Sequence, residues 1–181
     1  MTFTPTTLDG CFIVEASLFK DERGWFTRTY CEEVFTKNNL NTKWLQMNHS
    51  CTTQKGTIRG LHFQYPPFQE IKLVRCISGS VLDIVVDLRK DSPTFLKYFG
   101  VELTEQNKKS IYIPKGFAHG FQTLTNNAQL VYMHSNAYIK ESEGGLFYSD
   151  PLICIQWPLP LTEISERDKN HPLLTNQFKG I

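Results

Sequence analysis

The sequence predicts a single all-β domain, and three observations support this. Aromatic residues make up 13% of the chain, and short runs of β-branched and aromatic residues alternate with Gly, Pro and Asn. The 181 residues are enough for one sizeable core and too few to require two. No linker, internal repeat or low-complexity segment marks a boundary. We therefore expect one domain over residues 1–181, built as a β-sandwich or barrel.

Ten strands follow from period-two patterns bounded by turn residues. The most regular is residues 80–88, where Asp83 and Asp87 lie on one face and the other face is wholly apolar. A turn through Gly79 predicts that this strand forms a central hairpin with the preceding one. The predicted strands are residues 11–16, 25–30, 44–48, 58–64, 71–78, 80–88, 98–103, 110–113, 120–124 and 129–135.

Two short helices are expected at the periphery. Residues 31–37 carry the acids Glu32 and Glu33 in their first turn, which favour a helix N-terminus, and are followed by Asn38 and Asn39 as a stop signal. Near the C-terminus, Ser165 opens the sequence SERD and is a typical N-cap residue. Both segments are too short to form a core of their own.

Charge and composition exclude several classes of protein. The 19 basic and 18 acidic residues nearly cancel, so no global field attracts nucleic acid or membranes. No apolar run approaches the roughly 20 residues of a membrane span, and the N-terminus lacks the pattern of a secretory signal. The five cysteines are scattered without close pairs, as expected of reduced thiols. We expect a cytoplasmic protein that binds neither nucleic acid nor membrane.

The first candidate for chemistry is His62, in a strand that also carries Arg59 and precedes Lys72 and Arg75. A neutral imidazole among fixed cations suits a base that acts on an anionic substrate. Residues 65–69 form a short loop, which predicts that hairpin pairing brings Lys72 back towards His62. An ammonium in that place can stabilise an enolate. A solitary histidine is more often structural, so this interpretation depends on its neighbours.

The second candidate is His119, which follows a Pro-Gly turn in IPKGFAHGF and resembles the histidine of the second cupin motif. Metal-binding cupins carry two histidines and a carboxylate in their first motif, whereas this chain offers only His62 there. Glu70 or His134 could add a third ligand to His62 and His119, but these residues are weak evidence for a metal site. We expect no metal, and metal-dependent cupin chemistry stays an alternative.

Further polar and aromatic residues could bind a substrate. Tyr132, His134, Asn136 and Tyr138 alternate, which predicts one shared face of an extended strand; the tyrosines could pack, or donate a proton. Arginine forks match phosphate oxygens, and amides or aromatic rings could contact a sugar or base. The candidates for a diphosphate clamp are Arg23, Arg59, Arg75 and Arg167, and those for the sugar or base are Gln46, Asn48, Trp25 and Phe26.

The motifs DERGWF, NHS, IRGLHFQ, KLVRCISGSVLDIVVDLRKDSPTF, IYIPKGFAHGFQTL, WPLP and ISERD occur in this order. Together they resemble the dTDP-4-dehydrorhamnose 3,5-epimerase family of cupin-fold sugar nucleotide epimerases, over nearly the whole chain. The resemblance implies a cupin-type jelly roll with short peripheral helices, usually a homodimer. It also implies a nucleoside-diphospho-4-keto-6-deoxyhexose substrate and neither metal nor diffusible cofactor.

The resemblance also implies roles for individual residues. His62 would be the base that removes protons next to the carbon-4 ketone, and Asp168 its charge partner. Lys72 would stabilise the enolate oxygen, and Tyr132 would return a proton from the opposite face of the sugar. With the contacts suggested by residue chemistry, the expected substrate-binding residues are Arg23, Phe26, Arg28, Gln46, Asn48, Arg59, His119, Tyr138 and Arg167.

The chain departs from the family pattern at two places. Arg28 stands where many members have a glutamate that contacts thymine, which leaves a cytidine or guanosine carrier open. Gln69, Glu70 and Ile71 differ from the small residues common before the lysine. Three alternatives remain: an epimerase of carbon 3 or carbon 5 alone, a metal-dependent cupin enzyme, and a non-catalytic sugar nucleotide binder.

Overall fold

Two antiparallel sheets face one another in the computed structural model, which describes residues 1–181. The strand bounds are β1 Thr2–Pro5, β2 Phe12–Glu15, β3 Leu18–Asp21, β4 Gly24–Thr27, β5 Gln46–Thr52, β6 Ile58–Gln64, β7 Lys72–Ser78, β8 Ser80–Asp87, β9 Tyr98–Thr104, β10 Lys109–Ile113, β11 Phe117–Thr123, β12 Ala128–His134 and β13 Glu143–Gly145. One sheet has the order β1-β2-β10-β7-β12-β5 and the other β13-β6-β11-β8-β9. This jelly roll confirms the predicted fold class.

The helices are short and peripheral, as predicted. Helix α1 spans Glu32–Lys37, helix α2 spans Glu166–Lys169, and one turn of 3-10 helix covers Lys140–Ser142. The Ser165 hydroxyl accepts a hydrogen bond of 3.1 Å from the backbone N–H of Asp168, which confirms the predicted N-cap. No helix in the structure has the length and apolar character needed to cross a bilayer.

The main core lies between the two sheets, and β8 shows how the sequence builds it. Val81 and Val85 are fully buried in the core between the sheets. Ile84 and Val86, on the other face, pack in a second cluster with Leu146. Full burial of each such side chain stabilises the fold by roughly 1.5–3 kcal/mol. Strand β8 is therefore buried on both faces.

The predicted hairpin between residues 71–78 and 80–88 is wrong. Strand β7 pairs with β10 and β12 in one sheet, whereas β8 pairs with β9 and β11 in the other. Only Gly79 separates β7 from β8, and a tight hairpin needs at least two loop residues. The turn therefore carries the chain from one sheet to the other.

The predicted strand at residues 25–30 is not part of the sandwich. Strands β3 and β4 form a separate two-stranded hairpin, called here the N-terminal hairpin. Its large side chains are exposed, with Phe19 and Phe26 each 63% and Trp25 56% exposed. Period-two alternation correctly predicted a strand here. It does not predict which other strand this one pairs with or which sheet it joins.

Strand β12 ends at His134, so the predicted shared face of Tyr132, His134, Asn136 and Tyr138 is wrong for the last two residues. The backbone N–H of Ser135 still bonds to the carbonyl of Ile71 at 3.0 Å. The chain bends at Ser135 and Asn136, and the Asn136 side chain accepts the backbone N–H of Ala137 at 2.9 Å.

Candidate active site

A polar cavity of about 640 Å³ opens between the two sheets. Strands β5, β6, β7, β11 and β12 and helix α2 all contribute side chains to it. The residues that the sequence analysis singled out for catalysis or binding and that line this cavity are His62, Lys72, Tyr132, Asp168, Asn48, Arg59, His119, His134 and Arg167. The four expected catalytic side chains therefore share one cavity.

His62 and Lys72 reach this cavity by a route that differs from the predicted one. Strand β6 pairs with β11 and β13, whereas β7 belongs to the opposite sheet. The expected hairpin pairing between the two strands is therefore wrong. Both side chains line the cavity instead because each sheet directs one of them into the space between the sheets.

His62 and Asp168 form a hydrogen-bonded pair. The Nε2 atom of His62 lies 2.8 Å from Oδ1 of Asp168, and Oδ2 of the same carboxylate accepts the backbone N–H of Gly60 at 3.0 Å. Burial opposes ionisation of Asp168, but the bonds from His62 and Gly60 outweigh it and lower its pKa below the usual range. An ionised carboxylate only accepts hydrogen bonds. Nε2 therefore carries the proton, and Nδ1 keeps a free lone pair.

Two glycines allow the strands around this pair to approach closely. A Cβ atom on Gly60, whose φ is +115°, would lie 2.6 Å from Cα of Gly120. The ladder between β6 and β11 shifts register at this point, between His119 and Phe121. Side chains are thus excluded where Asp168 approaches the backbone of β6.

Arg167 lies beside the pair. Its Nη1 donates to both carboxylate oxygens of Glu143, at 3.0 and 3.1 Å, and its Nε donates to Asp168 at 3.2 Å. Its Nη2 lies 3.0 Å from Nε2 of His62, but both nitrogens carry protons, so this is a close approach of two donors. Glu143 was not among the predicted site residues, because it lies on the short strand β13 that we did not predict.

His171 is a further residue that the sequence analysis missed. Its buried Nε2 has no hydrogen-bond partner and lies 3.6 Å from Oδ1 of Asp168. The available signal was its place three residues after Asp168 in ISERDKNH. Potential ligand atoms of His62, Asp168 and His171 all lie within 4.8 Å of one another. The Arg167 guanidinium 3.0 Å from His62 places a positive charge there, which disfavours a cation.

A second histidine–carboxylate pair lies deeper in the cavity. Nε2 of His119 is 2.9 Å from Oδ2 of Asp83, and both side chains are buried. His119 is the register partner of His62 across β11 and β6. Asp83, on the face of β8 that also carries Asp87, therefore has a polar partner in the interior.

Lys72 and Tyr132 complete the polar lining. Nζ of Lys72 lies 3.3 Å from Oε1 of Glu70, and both side chains are about nine-tenths buried. The Tyr132 hydroxyl shares a hydrogen bond of 2.9 Å with the hydroxyl of Ser50. Burial raises the pKa of the Tyr132 phenol well above its ordinary value. This phenol therefore keeps its proton at neutral pH.

Five of the expected substrate-binding residues do not line the cavity of their own chain, and three of these, Arg23, Phe26 and Arg28, lie on or beside the N-terminal hairpin. Arg23 and Phe26 line a separate depression on the N-terminal hairpin, and the Arg23 side chain is 90% exposed beside Asp21. Arg28 is exposed just after β4. The hairpin projects from the sandwich, so residues adjacent in sequence to β4 cannot reach the cavity from within one chain.

Arg75 is also outside the cavity. Alternation along β7 places Lys72 towards the space between the sheets and Arg75 on the outer face of the six-stranded sheet, beside Trp25 and Lys108. Its Nε and Nη1 are buried without a hydrogen-bond partner. The expected place of Arg75 in the same clamp as Arg59 is therefore wrong for a single chain.

Gln46 and Tyr138 are linked to the cavity through other residues. Gln46 donates to Asn48 at 3.1 Å and accepts the backbone N–H of Tyr138 at 3.2 Å. The Tyr138 hydroxyl donates to Glu143 at 3.1 Å, the carboxylate that also binds Arg167. Gln46 thus holds Asn48, which lines the cavity, and Tyr138 is connected through Glu143 to Arg167, which also lines it.

Comparisons with known proteins identify the family. The profile of the dTDP-4-dehydrorhamnose 3,5-epimerase family matches residues 5–176. The chain is 43% identical to the dTDP-4-dehydrorhamnose 3,5-epimerase of Shigella flexneri, over 94% of each chain. The crystal structure of the enzyme of the same name from Elizabethkingia anophelis superposes with a TM-score of 0.92 at 40% identity, over 98% of each chain.

A second solved structure contains a ligand. The epimerase from Legionella pneumophila, in complex with dTDP-4-keto-L-rhamnose, superposes with a TM-score of 0.90 at 37% identity, over 95% of this chain and 92% of that one. The profile match, the sequence identity and the superposition agree over almost the full length. The chain therefore belongs to the dTDP-4-dehydrorhamnose 3,5-epimerase family.

Proposed function

We propose that this protein inverts carbon 3 and carbon 5 of a dTDP-linked 4-keto-6-deoxyhexose. Its family consists of epimerases, which places it in the isomerase class. The single observation that carries the proposal is the convergence of the His62–Asp168 pair, Lys72 and Tyr132 on one cavity. A base, an oxyanion stabiliser and an acid are the groups that such a reaction needs.

The free Nδ1 of His62 would remove the proton from the carbon next to the ketone. Asp168 holds the other ring nitrogen at 2.8 Å, which fixes the tautomer and stabilises the imidazolium that forms. The electron pair released from the carbon–hydrogen bond moves onto the carbon-4 oxygen, where Lys72 would stabilise the negative charge. None of these steps calls for a metal or a diffusible cofactor.

Tyr132 would return a proton to the opposite face of the sugar. Its phenol is protonated at neutral pH, because burial raises its pKa. Delivery from a different side chain than the base is what inverts the carbon, since return from His62 would restore the original configuration.

Arg59 is the best-supported contact for the diphosphate. Its Nε donates to the hydroxyl of Thr52 at 2.9 Å and its Nη2 to the carbonyl of Cys51 at 3.4 Å. Neither partner is charged, so the guanidinium charge in the cavity is not neutralised by the protein. Arg167, in contrast, is paired with Glu143 and Asp168.

We also infer that the protein acts as a homodimer in which the N-terminal hairpin of one protomer contributes to the cavity of the other. The hairpin exposes Phe19, Trp25 and Phe26, and Arg75 on the adjoining sheet face has buried donors without acceptors. A second copy would cover the apolar rings and bring Arg23 and Arg28 to a substrate. Light scattering should give about twice the chain mass of 20.9 kDa; a fully active monomer would contradict this inference.

Solvent exchange tests the proposed reaction. Incubation with the 4-keto sugar nucleotide in deuterium oxide should introduce two deuterons, one at each inverted carbon. One deuteron would instead identify an epimerase of a single carbon. Tight binding without exchange would identify a binder, and stoichiometric iron, zinc or manganese in untagged protein would favour a metal-dependent enzyme.

The nucleobase can be identified by ligand stabilisation. A ligand that binds the folded state raises the melting temperature according to its affinity. We expect dTDP to raise it more than CDP or GDP at equal concentration. A larger shift with either of the others would indicate that Arg28 marks a different nucleobase.

Tyr132→Phe should separate proton removal from inversion. We expect deuterium still to enter the substrate, because His62 can remove a proton and return a deuteron on the same face. Formation of the inverted product should fall by about 10²- to 10⁴-fold, the usual contribution of a general acid. NMR analysis of substrate and product would measure both; equal loss of exchange and inversion would contradict the assignment.

A further inference from the structure

A chain of hydrogen bonds connects the backbone near Tyr138 to the Lys72 ammonium, and its direction can be deduced. The backbone N–H of Tyr138 can only donate, so the Gln46 side-chain atom 3.2 Å away must be the carbonyl oxygen. The Gln46 amide nitrogen then points to Asn48, whose side-chain oxygen accepts it at 3.1 Å. The Asn48 amide nitrogen is consequently turned towards His134.

The next link fixes the tautomer of His134. The Asn48 amide nitrogen lies 3.3 Å from Nε2 of His134. An amide nitrogen only donates, so Nε2 must be the unprotonated, accepting nitrogen. The proton of a neutral His134 is therefore on Nδ1, which lies 2.8 Å from Oε2 of Glu70.

The last link ends at Lys72. Glu70 accepts from His134 with one oxygen, and its other oxygen lies 3.3 Å from the Lys72 ammonium. Burial by itself would raise the pKa of Glu70, but the bond from His134 and the charge of Lys72 together lower it. Glu70 is therefore an ionised carboxylate held in place on both of its oxygens.

We propose that Glu70 and His134 are positioning residues that hold the Lys72 ammonium where the enolate oxygen develops, with Gln46 and Asn48 fixing their orientation. This inference rests on the proposed function. A lysine has four rotatable side-chain bonds, and a preorganised charge stabilises a transition state more than a mobile one. Gln46 and Asn48 thereby act through Lys72 as well as by any contact with substrate.

The burial of the pair supports this assignment. The Lys72 and Glu70 side chains are only 9% and 10% exposed. A carboxylate so close to the ammonium reduces the net charge of the site, but it also spares Lys72 from being a buried cation without a counter-ion. Such an unpaired charge is strongly unfavourable.

Glu70→Gln is the first test, because the amide has the same shape and removes the charge. We expect the rate of deuterium uptake at saturating substrate to fall about tenfold, less than the 10²- to 10³-fold expected for loss of an oxyanion donor, with KM changed less than about twofold. The matched control is Glu15→Gln, which alters an exposed pair with a nearly equal separation, 3.2 Å to Lys109. The control should leave both constants unchanged.

A double-mutant cycle distinguishes positioning from a structural effect. If Glu70 acts through Lys72, adding Glu70→Gln to Lys72→Met should lower the rate little further. An equally large further loss would overturn the proposal. His134→Asn, which retains a donor near the Nδ1 position, should keep most of the activity that His134→Leu loses.

The outcomes also separate this inference from the proposed function. Absence of exchange by the unmodified protein would refute the function itself. Normal exchange by the unmodified protein and by Glu70→Gln, with a large loss in Lys72→Met, would refute only the positioning role. If Glu70→Gln fails to fold, the comparison of His134→Asn with His134→Leu decides in its place.

Discussion

His62→Ala is expected to abolish deuterium uptake from solvent into the sugar while nucleotide binding persists. The Asp168 carboxylate holds Nε2 of the imidazole at 2.8 Å, which leaves the lone pair of Nδ1 free to accept a proton. A general base contributes about 10²- to 10⁴-fold to the rate. The measurements are NMR of the sugar after incubation in deuterium oxide and the melting shift produced by dTDP.

The matched control for this variant is His49→Ala. His49 is also on a strand, β5, but its exposed ring bonds only to the Gln129 side chain, at 3.0 Å. This change should leave exchange unaltered. Undiminished uptake in His62→Ala, with the dTDP shift intact, would show that another group removes the proton.

Lys72→Met should lower turnover by about 10²- to 10³-fold, the effect of removing one oxyanion stabiliser, with a much smaller change in nucleotide affinity. The reason is that the ammonium is needed only once negative charge develops on the carbon-4 oxygen. Methionine preserves much of the length and volume of the side chain. Steady-state kinetics and calorimetric titration with dTDP would separate the two effects.

This variant should also be less stable, because Glu70 keeps only His134 as a partner. Loss of one partner from a buried ion pair destabilises a protein by about 3–5 kcal/mol. Lys109→Met is the control, since Lys109 pairs with Glu15 near the surface and such pairs contribute about 0–1 kcal/mol. A stable Lys72→Met protein with unchanged turnover would refute the role of the ammonium.

Local sequence patterns were sufficient to predict most strands and both helices. The period-two alternation of residues 80–88 corresponds to β8, and Ser165 forms the predicted cap of α2. The patterns predicted the conformation of a segment but not which strands pair with one another. A strand is defined by its own residues, but its partners are chosen by burial of apolar faces from distant segments, and this is how the predicted β7–β8 hairpin proved wrong.

The residues of the site also differ in whether the sequence or only the structure identified them. The sequence indicated His62, Lys72, Tyr132 and Asp168 through a resemblance of ordered motifs, and all four line one cavity. The ion pair between Glu143 and Arg167 was not predicted from the sequence. Arg23 and Phe26 were predicted to contact the substrate, but they lie away from the cavity of their own chain. Contacts between residues tens of positions apart depend on how the sheets pack.

The sequence by itself determined the all-β fold class, the family and the residue types available for proton transfer. These are properties of composition, periodicity and the order of motifs along the chain. Only the tertiary structure decided that β6 and β7 belong to opposite sheets, so that His62 and Lys72 line one cavity from its two sides and are not neighbours along a hairpin. It also decided the proton positions on His62 and His134, because a tautomer is set by hydrogen-bond partners that folding alone brings together.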